Sequence, residues 1–390
     1  MNYNFDKIID RSGTNSIKYD FAVERGMPAD TIPLWVADMD FQTAPDIIET
    51  LVEAAKHGIY GYTDTKKDYF EAVYHWYKNR FHWETKEEWI VKTPGIVFAI
   101  AMVVRALTKE DDSILIQQPV YYPFSQVILK NNRKLVNNPL IYENGGYHID
   151  FDDFEAKIIK NKVKLFILCS PHNPVGRVWR EEELTRLGDI CMKYQVKVIS
   201  DEIHGDFTYP ENVHTVFASI KKEFLNNSVI CTAPSKTFNL AGLQVSNLFV
   251  ANEEMRQRIC DEIERSGYSQ LNTMGLIACQ AAYEKGMFWL EELKTYLKGN
   301  LDFIRSFLLE NIPQIKLVEP EGTYLVWLDF RDLNLNEKEL ENLIINKAKL
   351  WLDSGTMFGE EGSGFQRVNI ACPRATLEKA FQQLASAIKE

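Results

Sequence analysis

The middle of the chain alternates short apolar segments with amphipathic ones, and this alternation limits the folds that the sequence can adopt. Residues 163–170 (VKLFILCS) are apolar almost throughout, as in a strand that is buried on both faces of a sheet. Residues 179–194 carry apolar side chains at helical spacing, and strand-like segments follow at 196–200 and 228–233. Strand, helix and strand in this order predict an α/β fold around a parallel sheet with right-handed crossovers.

The two ends of the chain have a different pattern from the middle. An earlier strand (112–119) with a helix before it extends the α/β region towards the N-terminus. In the last quarter of the chain, a long charged helix (289–309) leads into strand-like segments and a further helix, which is typical of an α+β unit. We therefore expect a large domain over 45–285 and a smaller domain assembled from 1–44 and 286–390.

The charge and composition exclude several classes of function. The 390 residues include 44 basic and 55 acidic side chains, a formal net charge of −11 at pH 7, and such a chain repels nucleic-acid phosphates and anionic lipids. The longest apolar run (96–104) is far shorter than the roughly 20 residues that span a bilayer. The cysteines form no CxxC pair and the histidines lack metal-ligand spacing. We expect a cytoplasmic protein with no nucleic-acid partner, no membrane partner and no metal.

Three polar residues come directly at the ends of three successive strands. Asn173 follows the first strand, Asp201 ends the second and Lys236 follows the third. Because ligands bind at the carboxyl ends of parallel strands, these side chains are expected to meet in one crevice. Singly, each residue type has an ordinary role as a turn, a helix cap or a surface charge. Together, the three residues indicate pyridoxal 5'-phosphate. The lysine amine can bind an aldehyde, the carboxylate can bind a pyridinium N–H, and the amide can donate to a phenolate oxygen.

Two further groups fit the phosphate and the ring of such a cofactor. Gly95 enters a predicted helix, so the backbone N–H groups of Gly95, Ile96 and Val97 are candidates for binding a phosphate at the helix N-terminus. Tyr121 follows the strand over 112–119 and is a candidate for stacking on the ring. A glycine before a helix is more often a simple cap, and an aromatic residue there is more often part of the core.

Longer motifs carry a resemblance to a known family. The sequence resembles pyridoxal-phosphate enzymes of aminotransferase fold type I, in particular the MalY/PatB-type cystathionine β-lyase (C–S lyase) group, through WVADMDF, YGYT, PVYYPF, SPHNPVGRVW, ISDEIHGDF, APSKTFNLAGL, TYLVWLDF and RVNIACPR. The spacing of DEIH and SKTFN is the most specific of these features. The resemblance implies a large domain with a mostly parallel seven-stranded sheet between helices, and a smaller α+β domain.

The resemblance also implies roles for individual residues. Lys236 resembles the catalytic lysine that forms a Schiff base with the cofactor, and Asp201 resembles the partner of the pyridinium nitrogen. Asn173 and His204 resemble residues that contact the 3-oxygen of the ring. Tyr121 resembles the aromatic residue that stacks on the cofactor ring, and the resemblance also implies that it takes part in catalysis and contacts the substrate. Substrate binding also involves Asn173 and an arginine that grips the α-carboxylate, which Arg367 resembles.

The phosphate site departs from the pattern of the family. Many relatives carry a serine phosphate donor three residues before the lysine, where this chain has Ala233. Thr232 and Ser235 are the neighbouring hydroxyls that we consider as substitutes. Tyr60 or Tyr62 resembles the residue that reaches the phosphate held by a neighbouring subunit, which implies a homodimer with a shared active site.

The resemblance predicts β-elimination at the carbon–sulfur bond of L-cystathionine, L-cysteine or a related S-conjugate. The products would be a thiol (homocysteine or hydrogen sulfide), pyruvate and ammonia. One alternative is an aminotransferase that uses the same residues. An alternative of another class is a regulatory protein that contacts a transcription activator.

Overall fold

Residues 3–389 are described by a computed structural model, in which the strands form one large sheet and three small ones. The strands are β1 (Ile32–Pro33), β2 (Ile90–Thr93), β3 (Ser113–Ile116), β4 (Lys134–Asn137), β5 (Ile141–Glu143), β6 (Gly146–His148), β7 (Leu165–Cys169), β8 (Lys197–Asp201), β9 (Ser228–Thr232), β10 (Ser246–Phe249), β11 (Lys316–Val318), β12 (Leu325–Asp329), β13 (Leu350–Trp351), β14 (Asp353–Ser354) and β15 (Phe365–Asn369).

The α-helices cover both faces of the large sheet and continue into the C-terminal region. They are α1 (Pro45–His57), α2 (Lys67–Phe81), α3 (Ile96–Leu107), α4 (Pro123–Lys130), α5 (Phe151–Asn161), α6 (Glu181–Lys193), α7 (Phe217–Ile220), α8 (Lys222–Asn227), α9 (Pro234–Thr237), α10 (Glu253–Arg265), α11 (Thr273–Lys285), α12 (Met287–Asn311), α13 (Glu337–Asn342) and α14 (Arg374–Lys389). Within residues 3–389, no helix is both long enough and apolar enough to cross a membrane.

The large sheet has the strand order β2–β10–β9–β8–β7–β3–β4. The strands from β9 to β4 run parallel, and β10 is antiparallel to both of its neighbours, β2 and β9. The register pairs Cys169 with Asp201 and Asp201 with Cys231, so β7, β8 and β9 end side by side. This topology confirms the predicted seven-stranded, mostly parallel sheet.

The sequence of β7 shows why this sheet lies between two layers of helices. All five of its residues are buried, with Leu165 and Ile167 in a cluster that includes α3 and α10, and Phe166 and Leu168 in a second cluster that includes α6. Each large apolar side chain that is fully buried contributes about 1.5–3 kcal/mol relative to an exposed one. The helix predicted over 179–194 is confirmed as α6, with acidic residues in its first turn and a lysine in its last, as the helix dipole favours.

The C-terminal region has its own small sheet. Strands β11, β12, β15 and β14 are antiparallel in that order, as expected for an α+β unit. In a separate pair, Ile32 of β1 lies opposite Leu350 of β13, which attaches the N-terminal segment to the C-terminal region. The exact division into 45–285 and the two flanking segments stays a prediction.

Candidate active site

A cavity of about 490 Å³ opens where β7, β8 and β9 end. Its wall contains most of the residues that the sequence singled out, namely Gly95, Ile96, Val97, Tyr121, Asn173, Asp201, His204, Ser235, Lys236 and Arg367. The three strand ends therefore bring their polar residues to one crevice, as the parallel topology requires.

Lys236 lies on the short helix α9, which begins two residues after β9. Its Nζ donates a hydrogen bond to the carbonyl oxygen of Ala37 at 2.7 Å. Burial lowers the pKa of this amine to about 8, and the nearby Arg367 guanidinium acts in the same direction. Near pH 8 a large share of the Lys236 side chains is neutral, and a neutral amine can attack an aldehyde or remove a proton.

Asp201 is the last residue of β8 and is 4 % exposed. Its Oδ1 accepts a hydrogen bond from the Ile203 N–H at 3.2 Å. Burial raises the pKa of Asp201 to about 7, and the Glu202 carboxylate adds to the rise while Lys236 opposes it. A buried carboxylate without an ion-pair partner gains most from a ligand that offers a positively charged N–H.

Asn173 and Arg367 are joined by a hydrogen bond. The Arg367 Nη1 donates to the Asn173 Oδ1 at 3.0 Å, which leaves the Asn173 amide N–H groups for a ligand. The Arg367 Nη2 donates to the Trp35 carbonyl oxygen at 2.8 Å and pairs with the Asp353 carboxylate. Within the described residues, the buried Nε of Arg367 has no partner. This arginine is therefore held in place with donors left for a carboxylate.

His204 and Tyr121 complete the wall around the ring position. Burial lowers the pKa of His204 to about 3, so the imidazole is neutral, and its buried Nδ1 has no partner in the part of the chain that the structure describes. Tyr121 donates its backbone N–H to the Asn173 carbonyl oxygen at 3.0 Å, and burial raises the pKa of its hydroxyl. The sequence placed both residues at the cofactor, and both line the cavity.

The N-terminus of α3 forms part of the cavity wall, where the sequence predicts a phosphate site. Gly95 caps this helix with φ 150°, a conformation that favours glycine, and no side chain caps the first N–H groups. Ser235 lines the cavity. Thr232 does not: its Oγ1 donates to the Asn247 carbonyl oxygen at 2.8 Å in the neighbouring strand β10. Ser235 therefore remains the candidate phosphate donor that faces the cavity, whereas the Thr232 hydroxyl is engaged within the sheet.

Tyr60 and Tyr62 lie outside this cavity. They are 63 % and 97 % exposed, and the Tyr60 hydroxyl donates to the Ala55 carbonyl oxygen at 3.0 Å. Within one chain neither side chain reaches the predicted phosphate site, so a contact with a neighbouring subunit stays a prediction.

The sequence did not point to several residues of the wall, and three of these hold charged side chains of the site in place. Trp35 and Ala37 supply carbonyl oxygens to Arg367 and Lys236, and their only signal was the motif WVADMDF. Asp353 lies opposite Arg367 in the register of β14 and β15, which explains their ion pair. A strand of two residues leaves no periodic pattern, so Asp353 had no sequence signal.

Comparisons with known proteins agree with this geometry. The family described as "Aminotransferase class I and II" matches residues 29–384. Cystathionine beta-lyase PatB of Bacillus subtilis (strain 168) is 42 % identical over 99 % of this chain and 100 % of its own length.

Solved structures give the same result. A pyridoxal-phosphate-bound protein of Clostridium difficile 630, provisionally assigned as an aminotransferase, matches with a TM-score of 0.97 and 46 % identity over 99 % of this chain and 100 % of that one. The pyridoxal-phosphate-bound C–S lyase of Staphylococcus hominis matches with a TM-score of 0.93 and 35 % identity over 100 % and 99 % of the two chains. The chain belongs to the class I and II aminotransferase family.

Proposed function

We propose that this protein is a pyridoxal-phosphate-dependent carbon–sulfur β-lyase that acts on cystathionine, cysteine or a related S-conjugate. The observation that carries the proposal is the meeting of the Lys236 amine and the Asp201 carboxylate in one buried cavity, each with its pKa shifted towards neutrality. The likeness to a cystathionine beta-lyase over the whole chain supports carbon–sulfur bonds as the target.

The donors of the cavity fit pyridoxal phosphate. The N-terminus of α3 and the Ser235 hydroxyl suit the phosphate, and Asp201 suits the ring N–H. The unpartnered Nδ1 of His204 and the free amide of Asn173 suit the ring oxygen, while the Lys236 amine is the group that would bind the aldehyde until a substrate amine takes its place and frees it. When bound, the cofactor supplies an electron sink that lets bonds to the substrate α-carbon break.

Different residues of the chain then perform different steps of the elimination. Arg367 binds the substrate α-carboxylate through the donors that its structural partners leave free. The neutral Lys236 amine removes the proton from the α-carbon. The electron pair of that bond forms a Cα–Cβ double bond, the Cβ–S bond breaks, and the sulfur takes a proton as the thiol leaves. Hydrolysis by one water molecule turns the remaining three-carbon unit into pyruvate and ammonia.

The products separate this function from transamination, which begins with the same proton removal. We expect pyruvate, ammonia and homocysteine in equal amounts from cystathionine, and hydrogen sulfide in place of homocysteine from cysteine, without any added keto acid. The measurement is a pyruvate assay combined with a thiol assay. Turnover that requires a keto acid and releases no thiol would show an aminotransferase instead. No contact described above favours a regulatory role through a transcription activator.

We also propose a cytoplasmic homodimer in which Tyr62 of one subunit reaches the phosphate in the other. The Tyr62 side chain is 97 % exposed, whereas the Tyr60 hydroxyl already has a partner in its own chain. The Tyr62 hydroxyl is therefore the one of the two that is available to a group on another subunit. The six cysteines, all within the described residues, are unpaired thiols, as in a reducing compartment.

Tyr62→Phe is expected to weaken cofactor binding about ten-fold, because a hydrogen bond to a charged phosphate is lost. Tyr60→Phe is the matched control and should change the cofactor dissociation constant by less than about three-fold. Fluorescence titration of the cofactor-free protein measures both values, and light scattering checks that the dimer mass is unchanged. A monomeric protein, or equal effects of the two variants, would contradict the proposal that Tyr62 reaches the phosphate in the other subunit.

A further inference from the structure

Trp35 forms one side of the cavity and links it to the protein surface. Its carbonyl oxygen accepts a hydrogen bond from Arg367, the arginine assigned to the α-carboxylate. Its ring stacks on Trp351, with a centroid distance of 4.4 Å and an interplanar angle of 14°. The Trp35 ring is therefore a fixed part of the wall, because both its backbone and its side chain are held.

A second guanidinium lies on the ring of Trp35. The Cζ of Arg25 is 5.3 Å from the centroid of that ring, in the range of a cation–π contact. Arg25 is exposed, and within residues 3–389 no carboxylate forms an ion pair with it. Its hydrogen-bond donors are therefore available to a ligand that enters along the Trp35 wall.

The position of Arg25 relative to the cavity is supported by Tyr122, another residue of the wall. Burial raises the pKa of the Tyr122 hydroxyl, Asp353 adds to that rise, and Arg367 and Arg25 both oppose it. Both guanidinium groups are thus close enough to Tyr122 to act on its charge. Arg367 lines the cavity, and Arg25 lies over the ring of Trp35, a residue of its wall.

We propose that Arg25 binds a carboxylate on the leaving-thiol half of the substrate. Trp35 separates two guanidinium groups, and a thioether with an amino acid at each end, such as cystathionine, has one carboxylate for each. Cysteine has a single carboxylate and uses only Arg367. Arg25 is therefore a specificity-determining residue that favours substrates whose departing thiol is itself an amino acid. This inference rests on the proposed function.

The expected effect is moderate, because Arg25 is exposed and water screens its charge. The ring of Trp35 reduces the loss of side-chain freedom on binding, since the stacked guanidinium is already oriented. We expect the contact to change KM by about three- to five-fold, which is the upper part of the range for a single exposed ion pair.

Arg25→Gln tests the proposal. The KM for cystathionine should rise about three- to five-fold with kcat unchanged, whereas the KM for cysteine should change by less than about two-fold. Arg186→Gln is the matched control, because Arg186 is also exposed and lies over an aromatic ring, Phe151, at 4.3 Å, but Phe151, unlike Trp35, is not part of the cavity wall. It removes the same charge and should leave both KM values unchanged.

A binding measurement makes the result independent of turnover. Calorimetric titration with the all-carbon analogue of cystathionine, in which a methylene group replaces sulfur, should show the same loss of affinity in Arg25→Gln. Equal changes for cystathionine and cysteine, or no change for either, would overturn the role of Arg25. Failure of the unaltered protein to release pyruvate from both substrates would instead overturn the proposed function.

Discussion

Lys236→Ala is expected to lower the turnover of cystathionine and cysteine by at least about 10⁴-fold, because it removes both the amine that anchors the cofactor and the base for the α-proton. The Lys236 amine lines the cavity. Burial lowers its pKa to about 8, so a share of this amine is neutral near neutral pH. Pyruvate release measures turnover. Gel filtration of the loaded protein measures anchoring, since the cofactor should separate from the variant and stay with the unaltered protein.

Two further variants show whether the loss is chemical. Lys236→Arg keeps a cation in the cavity but has no nucleophilic amine at neutral pH, so it should be as inactive as the alanine variant. Lys197→Ala removes a half-buried lysine that donates to Asn227, away from the cavity, and should keep most of the activity. In the unaltered protein, the rate of cofactor capture should rise as the pH passes about 8, because the neutral amine is the reactive form. Pyruvate release by Lys236→Ala at the normal rate would rule out this mechanism.

The centre of the fold could be predicted because buried parallel strands have a strong sequence pattern. The apolar run of β7 and the amphipathic pattern of α6 are local features, and each forms the expected element. The parallel topology then brings the residues at the strand ends together, which is why Asn173, Asp201 and Lys236 could be expected in one crevice.

The rest of the site depends on contacts between distant parts of the chain. Ala37 meets Lys236 and Trp35 meets Arg367 through backbone carbonyl oxygens, which any residue type supplies. Thr232 belongs to a strand pair in which its hydroxyl bonds to β10, and only the three-dimensional arrangement shows this. The sequence does not distinguish Arg25 from other arginines, and only the structure shows that it lies over Trp35. Sequence patterns therefore pointed to side chains at the strand ends more readily than to the backbone groups that hold Lys236 and Arg367 in place.

Asp201→Asn is expected to lower kcat by about 10²–10³-fold while the cofactor stays attached to Lys236. An asparagine keeps the shape of the side chain but lacks the negative charge that holds a proton on the ring nitrogen. The KM should change little, because Arg367 binds the substrate carboxylate at another part of the wall. Steady-state assays give kcat and KM, and the visible absorption of the loaded protein shows whether the cofactor is still attached.

Glu202→Gln is the control for Asp201→Asn. Glu202 is the neighbouring buried carboxylate, but it accepts hydrogen bonds from Ser200 at 2.8 Å and from the Phe217 N–H at 3.0 Å and pairs with His214 at 2.9 Å. Its loss should change kcat by less than about three-fold. Normal turnover in Asp201→Asn would show that the ring nitrogen needs no charged partner in this protein.

Asp201→Asn should also stabilise the protein when the cofactor is absent. Folding raises the pKa of Asp201 from 3.8 to about 7 through burial, so the folded state binds the proton more tightly than the unfolded state does. The contribution of Asp201 to the free energy of unfolding of the cofactor-free protein therefore falls as the pH rises from about 4 through 7. Asparagine has no charge to bury, so the melting temperature of Asp201→Asn should exceed that of the unaltered protein at pH 8, and the difference should shrink at pH 5.

Addition of the cofactor should reverse this order, because a protonated ring nitrogen gives the buried carboxylate its missing partner. The rise in melting temperature on cofactor addition should be larger for the unaltered protein than for Asp201→Asn. Thermal denaturation with and without the cofactor at pH 8 measures both effects. An equal rise in the two proteins would mean that Asp201 does not bind the cofactor, whatever the effect on kcat. We therefore expect Asp201 to destabilise the empty fold and to stabilise the loaded one.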